Sequence, residues 1–503
     1  MLHYTGHPFV DVGMAAITAF ANKTRPEDVT ADDLEQVASY IEQNYVRPPL
    51  RGHLTMAFTS NAWFIQDAYN PDKPDLAPED RAARQATRAD WAARHLRQWQ
   101  APGSDDEHCI FTGLPVVPTT LSGKLPGGRA GRAQIPLVQG DDVINFFTYG
   151  NSGLPIAGIA LLALQFFPLG CAKCGVGLLA VHSDNDRLTY ELTRRFLVQN
   201  ISDVTKAQAA GEDKLPGAQR SLKTLLIEAL LEAEQRRSRS EQRAEPASVT
   251  AYNFNNGKTP SLELYHLPLE IVSFLQVVYT EPYRDAWNQV VQRAWERIAT
   301  KKGKQAASPH ATEPRRNYLY EDLFDLLDMH EHIVRFIRVY FLRIPRHTAY
   351  EEDPRRQYSL HDEWSLVSWP LVELFLGKVV RMDEDRIKRI CALGDGLAVY
   401  VQKQGGKRFF RNFFIEQNAS NFRAMLIKAN IAHIKAGYEP LFDLHTYIDV
   451  FEEGEDVMRP DWRLARDLVF MRMIDQLRSW LAQNPDAVPD VEAETEPAGS
   501  IAA

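Results

Sequence analysis

Apolar positions recur at helical spacing through most of the chain. Phe9, Val12, Ala16, Ile17 and Phe20 share one face behind Pro8, and Leu34, Val37, Ile41 and Tyr45 share another behind Thr30. Apolar residues three and four apart line one side of an α-helix, and Pro in a first turn or Thr just before it suits a helix start. Residues 1–100 are therefore predicted as an N-terminal helical region. Beyond them Gly and Pro interrupt the pattern, as in Leu125-Pro126-Gly127-Gly128-Arg129-Ala130-Gly131-Arg132, which predicts loops and short strands around one apolar segment at 154–169. A polar helix is expected over 220–243. Next, 248–254 and 258–266 flank Asn255-Asn256-Gly257, a hairpin signature because Asn-Gly supplies the positive φ angles of a tight turn. Residues 101–267 thus read as an α+β region. Helical periodicity resumes at Pro268 and predicts a helical region over 268–380 and a C-terminal helical bundle over 381–483, interrupted by polar stretches at 301–316 and 350–358. Residues 484–503 carry five acidic residues, no basic one and no aromatic, the composition of a disordered acidic tail. The fold class expected is α-dominated α+β, an irregular N-terminal domain followed by a helical bundle.

Composition narrows this picture in three ways. A chain of 503 residues exceeds the size at which one hydrophobic core stops growing, and 45% hydrophobic with 24% charged residues is ordinary for a folded protein. The apolar segment at 154–169 is shorter than the ~20 residues that span a bilayer and contains Pro155, Gly158 and Pro168, so no membrane span is expected. Four cysteines and no secretory signal pattern at the N-terminus fit a reducing cytoplasm. A net charge of −9 argues against a protein that coats nucleic acid without specificity, although local binding follows the charge at the contact surface.

Two segments carry a family resemblance. Tyr4-Thr5-Gly6-His7-Pro8-Phe9-Val10-Asp11-Val12-Gly13 is similar to the N-terminal signature of the large subunits of type I-B CRISPR surveillance (Cascade) complexes. Phe167-Pro168-Leu169-Gly170-Cys171-Ala172-Lys173-Cys174-Gly175, followed by Leu178-Leu179-Ala180-Val181-His182-Ser183-Asp184, resembles the same family. By physics alone the first segment is a capped helix start. The resemblance implies a non-catalytic subunit beside the protein that clamps the 5′ end of a guide RNA. It would read a protospacer-adjacent motif in target DNA and steady the opened R-loop while base pairing reads the sequence. Its implied partners are guide RNA, target DNA, the backbone and guide-end-binding subunits, and a helicase-nuclease or transposition proteins. A small helical subunit translated from an internal start is implied too. Met382, which opens Asp383-Glu384-Asp385 near a predicted helix end, would give a product of 122 residues. The rival reading is a helical interaction scaffold that binds no nucleic acid.

Cys171-Ala172-Lys173-Cys174-Gly175 is half of a zinc knuckle, two thiolates spaced for one tetrahedral ion. Cys109-Ile110-Phe111-Thr112-Gly113 repeats the spacing and the closing glycine but has Thr112 where a fourth thiolate belongs. The family pattern has two cysteine pairs, so the region is a degenerate zinc knuckle. Structural zinc would be held by Cys109, Cys171 and Cys174, with His108 or His182 as fourth ligand. The competing reading is a relic fold with buried thiols, and Cys391 is expected in a helix core. His361-Asp362 lacks further His or Asp ligands at metal-site spacing, no phosphate loop or nucleophile elbow is present, and no catalysis is expected.

Three sets of residues are candidates for nucleic-acid contact. The hairpin tip, with Asn253, Asn255, Asn256 and Lys258, offers amide donors and acceptors to a minor groove. Lys124, Arg129 and Arg132 sit on the Gly-rich loop, placed to follow phosphates. Between 381 and 435 there are eleven Lys or Arg residues against five Asp or Glu, a net +6 within a chain of −9. There Lys403, Lys407, Arg408, Arg411, Arg423 and Lys428 interleave with Phe409, Phe410, Phe413, Phe414 and Phe422, a pattern suited to tracking a displaced single strand.

Overall fold

A computed structural model describes residues 2–59, 62–138, 152–217, 219–240, 245–257, 259–297, 314–326, 330–347, 350–453 and 457–491. The chain divides into two units, Met1–Val272 and Ser273–Ala503. The structure is helix-rich with small antiparallel sheets, and among the described residues no helix is long and apolar enough to cross a membrane.

The first unit is organised around α1 (Pro8–Phe20), whose residues from Phe9 to Thr18 are all buried. Against it lie α2 (Ala31–Asn44) and, past α3 (Pro78–His95), which packs on α2, the helix α4 (Gly158–Phe166). Thr30 begins α2 with a reciprocal capping box to Asp33. Helix α4, from the middle of the apolar segment, packs directly on α1. Their approach is so close that a Cβ on Gly13 would stand 2.2 Å from the Ala163 carbonyl oxygen. A four-stranded antiparallel sheet follows, in the order β1 (Ala172–Cys174), β2 (Gly177–Ser183), β3 (Val249–Asn255), β4 (Ser261–Leu267). Between β2 and β3 the chain makes α5 (Asp186–Ala210) and α6 (Leu222–Ser240). Phe254 of β3 reaches the α1 layer, where Phe9, Phe167 and Phe254 stack with centroids 4.7, 4.9 and 5.4 Å apart. Residues 1–100 therefore form no separate body, because their core is completed by residues 154–183 and 254.

In the second unit α7 (Glu384–Tyr400), α8 (Gly406–Ile415), α9 (Ala419–Lys435), α10 (Leu444–Phe451) and α11 (Trp462–Gln476) form a bundle. Helix α11 is its axis. Leu464 to Met471, with Met473 and Ile474, are buried there, and α7, α8 and α10 pack against it. Its polar pair Arg466 and Asp467 is satisfied internally: Asp467 accepts from Arg338 at 2.6 Å and from Arg466 at 2.9 and 3.1 Å, and Arg466 also donates to the Glu416 carbonyl at 2.6 Å.

The stretch 350–358 interrupts the helices as expected and is anchored, since Arg355 is buried and pairs with Asp353 and Asp322, its closest contact to each being 2.6 Å. The predicted tail does not begin at 484: a short turn at Pro485–Ala487 buries Ala487 and Val488, and only residues 492–503 of it lie outside the described residues. Most of the polar stretch 301–316 also lies outside them.

Candidate nucleic-acid interface

Gly406, at φ +54°, ends the turn after α7 and starts α8. Phe410, Phe413 and Phe414 then fall on the buried face of α8, where Phe410 and Phe414 each lie 4.7 Å from Phe470. Asn418 caps α9 by accepting from the Asn421 backbone N–H at 3.0 Å, and Phe422 packs 5.2 Å from Phe413. Four of the five interleaved phenylalanines are thus core. Phe409 alone is half-buried.

Between α8 and α9 runs an open groove of about 860 Å³, lined among others by Tyr400, Arg408, Phe409, Asn412, Asn421 and Lys428. Arg408 and Asn412 lie one helical turn apart on α8, and Asn421 and Lys428 two turns apart on α9. Among the described residues, neither Arg408 nor Lys428 has a carboxylate partner. Besides the Glu416 carboxylate and apolar side chains, the groove presents two cations, two amides and two aromatic rings, groups that suit phosphates and bases of an extended strand. Asn412, Asn421 and Tyr400 escaped the sequence reading, which looked for charge. The spacing of Asn with the cations on consecutive amphipathic helices is the signal that could have found them.

The other four basic candidates are engaged. Lys407 pairs with Asp486 at 2.7 Å, Arg411 donates to the Asp486 carbonyl, and Arg423 pairs with Glu452 at 3.2 Å. Lys403 sits 4.2 Å over the Tyr438 ring, with its ammonium still on the surface.

A hairpin forms, but not around the tight turn expected: pairing stops at Asn255 opposite Ser261, neither Asn256 nor Gly257 has a positive φ, and the tip is not free. Asn256 is fully buried: its N–H donates to the Met56 carbonyl at 2.8 Å and its side-chain amide to the Ala57 carbonyl at 3.0 Å. Asn255 accepts from the Gly257 N–H at 2.9 Å, and Asn253 donates to Glu263 at 3.2 Å. A buried amide that ties two segments together has no edge left to read a base, so Asn256 is an anchor. Lys258 lies outside the described residues. Arg129 is likewise structural. It is buried, pairs with Glu107 and donates to the Ser152 and Gly153 carbonyls at 3.3 and 3.1 Å. Lys124 is exposed on its turn and Arg132 is half-buried.

The proposed zinc ligands do not converge: among the described residues no three His, Cys, Asp or Glu side chains form a metal-holding group. Both knuckle turns survive in backbone form, with Gly113 at φ +68° and Gly175 at +58°. Cys109, Cys171 and Cys174 are buried, burial pushing Cys174 up to about 12 and Cys171 well above its usual value. Cys171 donates to the Phe167 carbonyl, and His108 is exposed. His182 turns instead to Asp11, 3.1 Å away. Asp11 also accepts from the Thr5 N–H (2.6 Å), the Thr5 hydroxyl (2.8 Å) and the Gly6 N–H (2.9 Å). Burial raises the Asp11 pKa, but hydrogen bonds from His182 and Thr5 and the His182 charge outweigh it and hold the carboxyl below its ordinary range. In the second unit the His361 imidazole meets the Val488 carbonyl at 2.9 Å, and Asp362 lies in a turn capped by Ser359.

No known family model matches the chain, and no curated protein matches it either.

Proposed function

We propose that this chain is the non-catalytic large subunit of a type I-B RNA-guided surveillance complex, and that its C-terminal bundle holds single-stranded DNA in the α8–α9 groove. The observation that carries the reading is that groove, where Arg408 and Lys428, without a carboxylate partner among the described residues, stand beside Asn412, Asn421, Tyr400 and Phe409. Phosphates would meet the two cations and bases the rings, an arrangement tolerant of sequence. The resemblance gains internal consistency from Asp11 and His182, one from each of its two segments, which meet in a single hydrogen-bonded cluster. In this reading the cysteine turns are packing elements.

The adjacent motif in duplex DNA would be read by residues other than Asn256, with Lys124 the exposed cation of the Gly-rich loop. The reading carries its partners with it: guide RNA, the backbone and guide-end-binding subunits, and a helicase-nuclease or transposition machinery. Met382 immediately precedes Asp383, which caps α7 through the Arg386 N–H at 3.0 Å, so a product starting there would keep its first helix intact.

Purification from a host carrying the neighbouring genes tests the identity. Co-isolation with a short guide RNA and a multi-copy backbone protein is expected; the chain alone, free of RNA, would favour the scaffold reading. The groove is tested by Arg408→Glu with Lys428→Glu, which should weaken binding of a fluorescent single-stranded oligonucleotide by about tenfold or more at physiological salt. Unchanged affinity would remove the groove from the proposal.

A further inference from the structure

Helix α9 has two apolar faces. The inner one, with Phe422, Leu426, Ala429 and His433, is buried in the bundle. The outer one carries Ile427, Ile431 and Ile434. These three side chains are 45%, 47% and 46% exposed. Their spacing of four and three residues is that of a helical stripe two turns long. Single exposed apolar residues are unremarkable, but a contiguous stripe on a rigid helix marks an interaction surface.

Charge says what fits it. From Ala419 to Lys435 the helix has no acidic residue. Lys428 and Lys435 run along one side of the stripe, both exposed, and Lys403 lies 4.2 Å over the Tyr438 ring just past the helix end. A second copy of the same face would bring lysine rows together. A helix with an apolar stripe edged by Glu or Asp would bury the isoleucines and pair with the lysines at once.

We infer that the outer face of α9 docks an acidic amphipathic helix of a partner protein. The isoleucines are not among the residues that line the α8–α9 groove, although Lys428 borders both, and the inference stands without the nucleic-acid reading. Docking would bury the isoleucines as anchors, while the lysines set orientation and make association sensitive to salt.

The test uses the full chain and two labelled synthetic helices with the same leucine stripe, one edged by Glu and one by Lys. Fluorescence anisotropy should show binding of the acidic helix only, weakened by salt. Ile431→Asp with Ile434→Asp should reduce that binding by about tenfold or more, while far-UV circular dichroism shows the helical fold retained. The milder pair Ile431→Gln with Ile434→Gln should give the same direction, and Lys435→Glu should weaken the acidic helix. Equal binding of both helices would overturn the inference. So would indifference to these substitutions, dimerisation of the chain through this face in sedimentation, or binding of phosphatidylserine vesicles in place of the acidic helix.

Discussion

Replacing Asp11 with Ala removes one carboxylate that four donors share. Each hydrogen bond to a charged acceptor contributes about 1.5–3 kcal/mol, yet the four do not add. Gly6 is exposed and Thr5 half-buried, so water replaces part of what their N–H groups lose, whereas Asp11 itself is only 2% exposed and His182 faces it from β2. A loss of about 3 kcal/mol follows, and at roughly 2–4 °C per kcal/mol for a unit of this size the melting temperature should fall by about 6–12 °C. Asp11→Asn keeps the shape but offers an NH2 to donors, and should lose about half as much. Calorimetry of the full chain is the assay, with the transition of the first unit followed separately, since two units need not melt together. The effect depends on pH with a definite sign. The folded carboxyl has the lower pKa, so the unfolded chain protonates first; the contribution is present above the ordinary value of 3.8 and is lost as pH falls through the folded value. A double-mutant cycle with His182→Ala should show coupling of about 0.5 kcal/mol or more. If Asp11→Ala melts within about 1 °C of the parent at neutral pH, the cluster does not hold the N-terminal segment to β2 and the reasoning fails.

Gly13→Ala puts a Cβ 2.2 Å from a backbone oxygen of α4; helix α1 must move, and soluble yield or urea midpoint should drop by an amount matching about 3 kcal/mol or more. Asn256→Ala strands the Met56–Ala57 turn without its side-chain donor and should cost about 1–3 kcal/mol in chemical denaturation; loss of duplex-DNA binding without loss of stability would instead restore the tip as a reader. Burial lowers His53 to about 4. The unfolded imidazole therefore protonates first, so stability of the first unit should decline from the ordinary 6.5 down to about 4, by roughly 3 kcal/mol in all. His53→Gln should flatten that slope in urea titrations run across the range, and an unchanged slope would refute it.

What periodicity can express, the sequence reveals well. The Thr30 cap, the helix behind Pro8, the apolar segment that becomes α4 and the hairpin after 248 are all legible, because each is a local pattern with a local cause. Partnership across distance is not. The charge of 381–435 is real, but Lys407 and Arg411 are claimed by Asp486 and Arg423 by Glu452, partners from 29 to 79 positions away, and no window on the sequence shows it. Asn256 looks like any Asn-Gly turn until Met56 and Ala57 are brought to it. Metal binding is illegible for a similar reason: two knuckle-like turns are visible in sequence, but whether their side chains converge is a matter of tertiary placement, and among the described residues no three His, Cys, Asp or Glu come together.

The hook at Asn256 has a consequence for synthesis. Met56 and Ala57 leave the ribosome about 200 residues before the amide that ties them down, and Asp11 waits 171 positions for His182 and Tyr45 waits 120 for the Gln165 carbonyl. Nascent α1 and α2 are thus born with their apolar faces open and must stay uncommitted for roughly 10–40 seconds of translation before the first unit can close. Codon choice and chaperone supply over residues 60–256 should therefore govern the yield of the folded first unit.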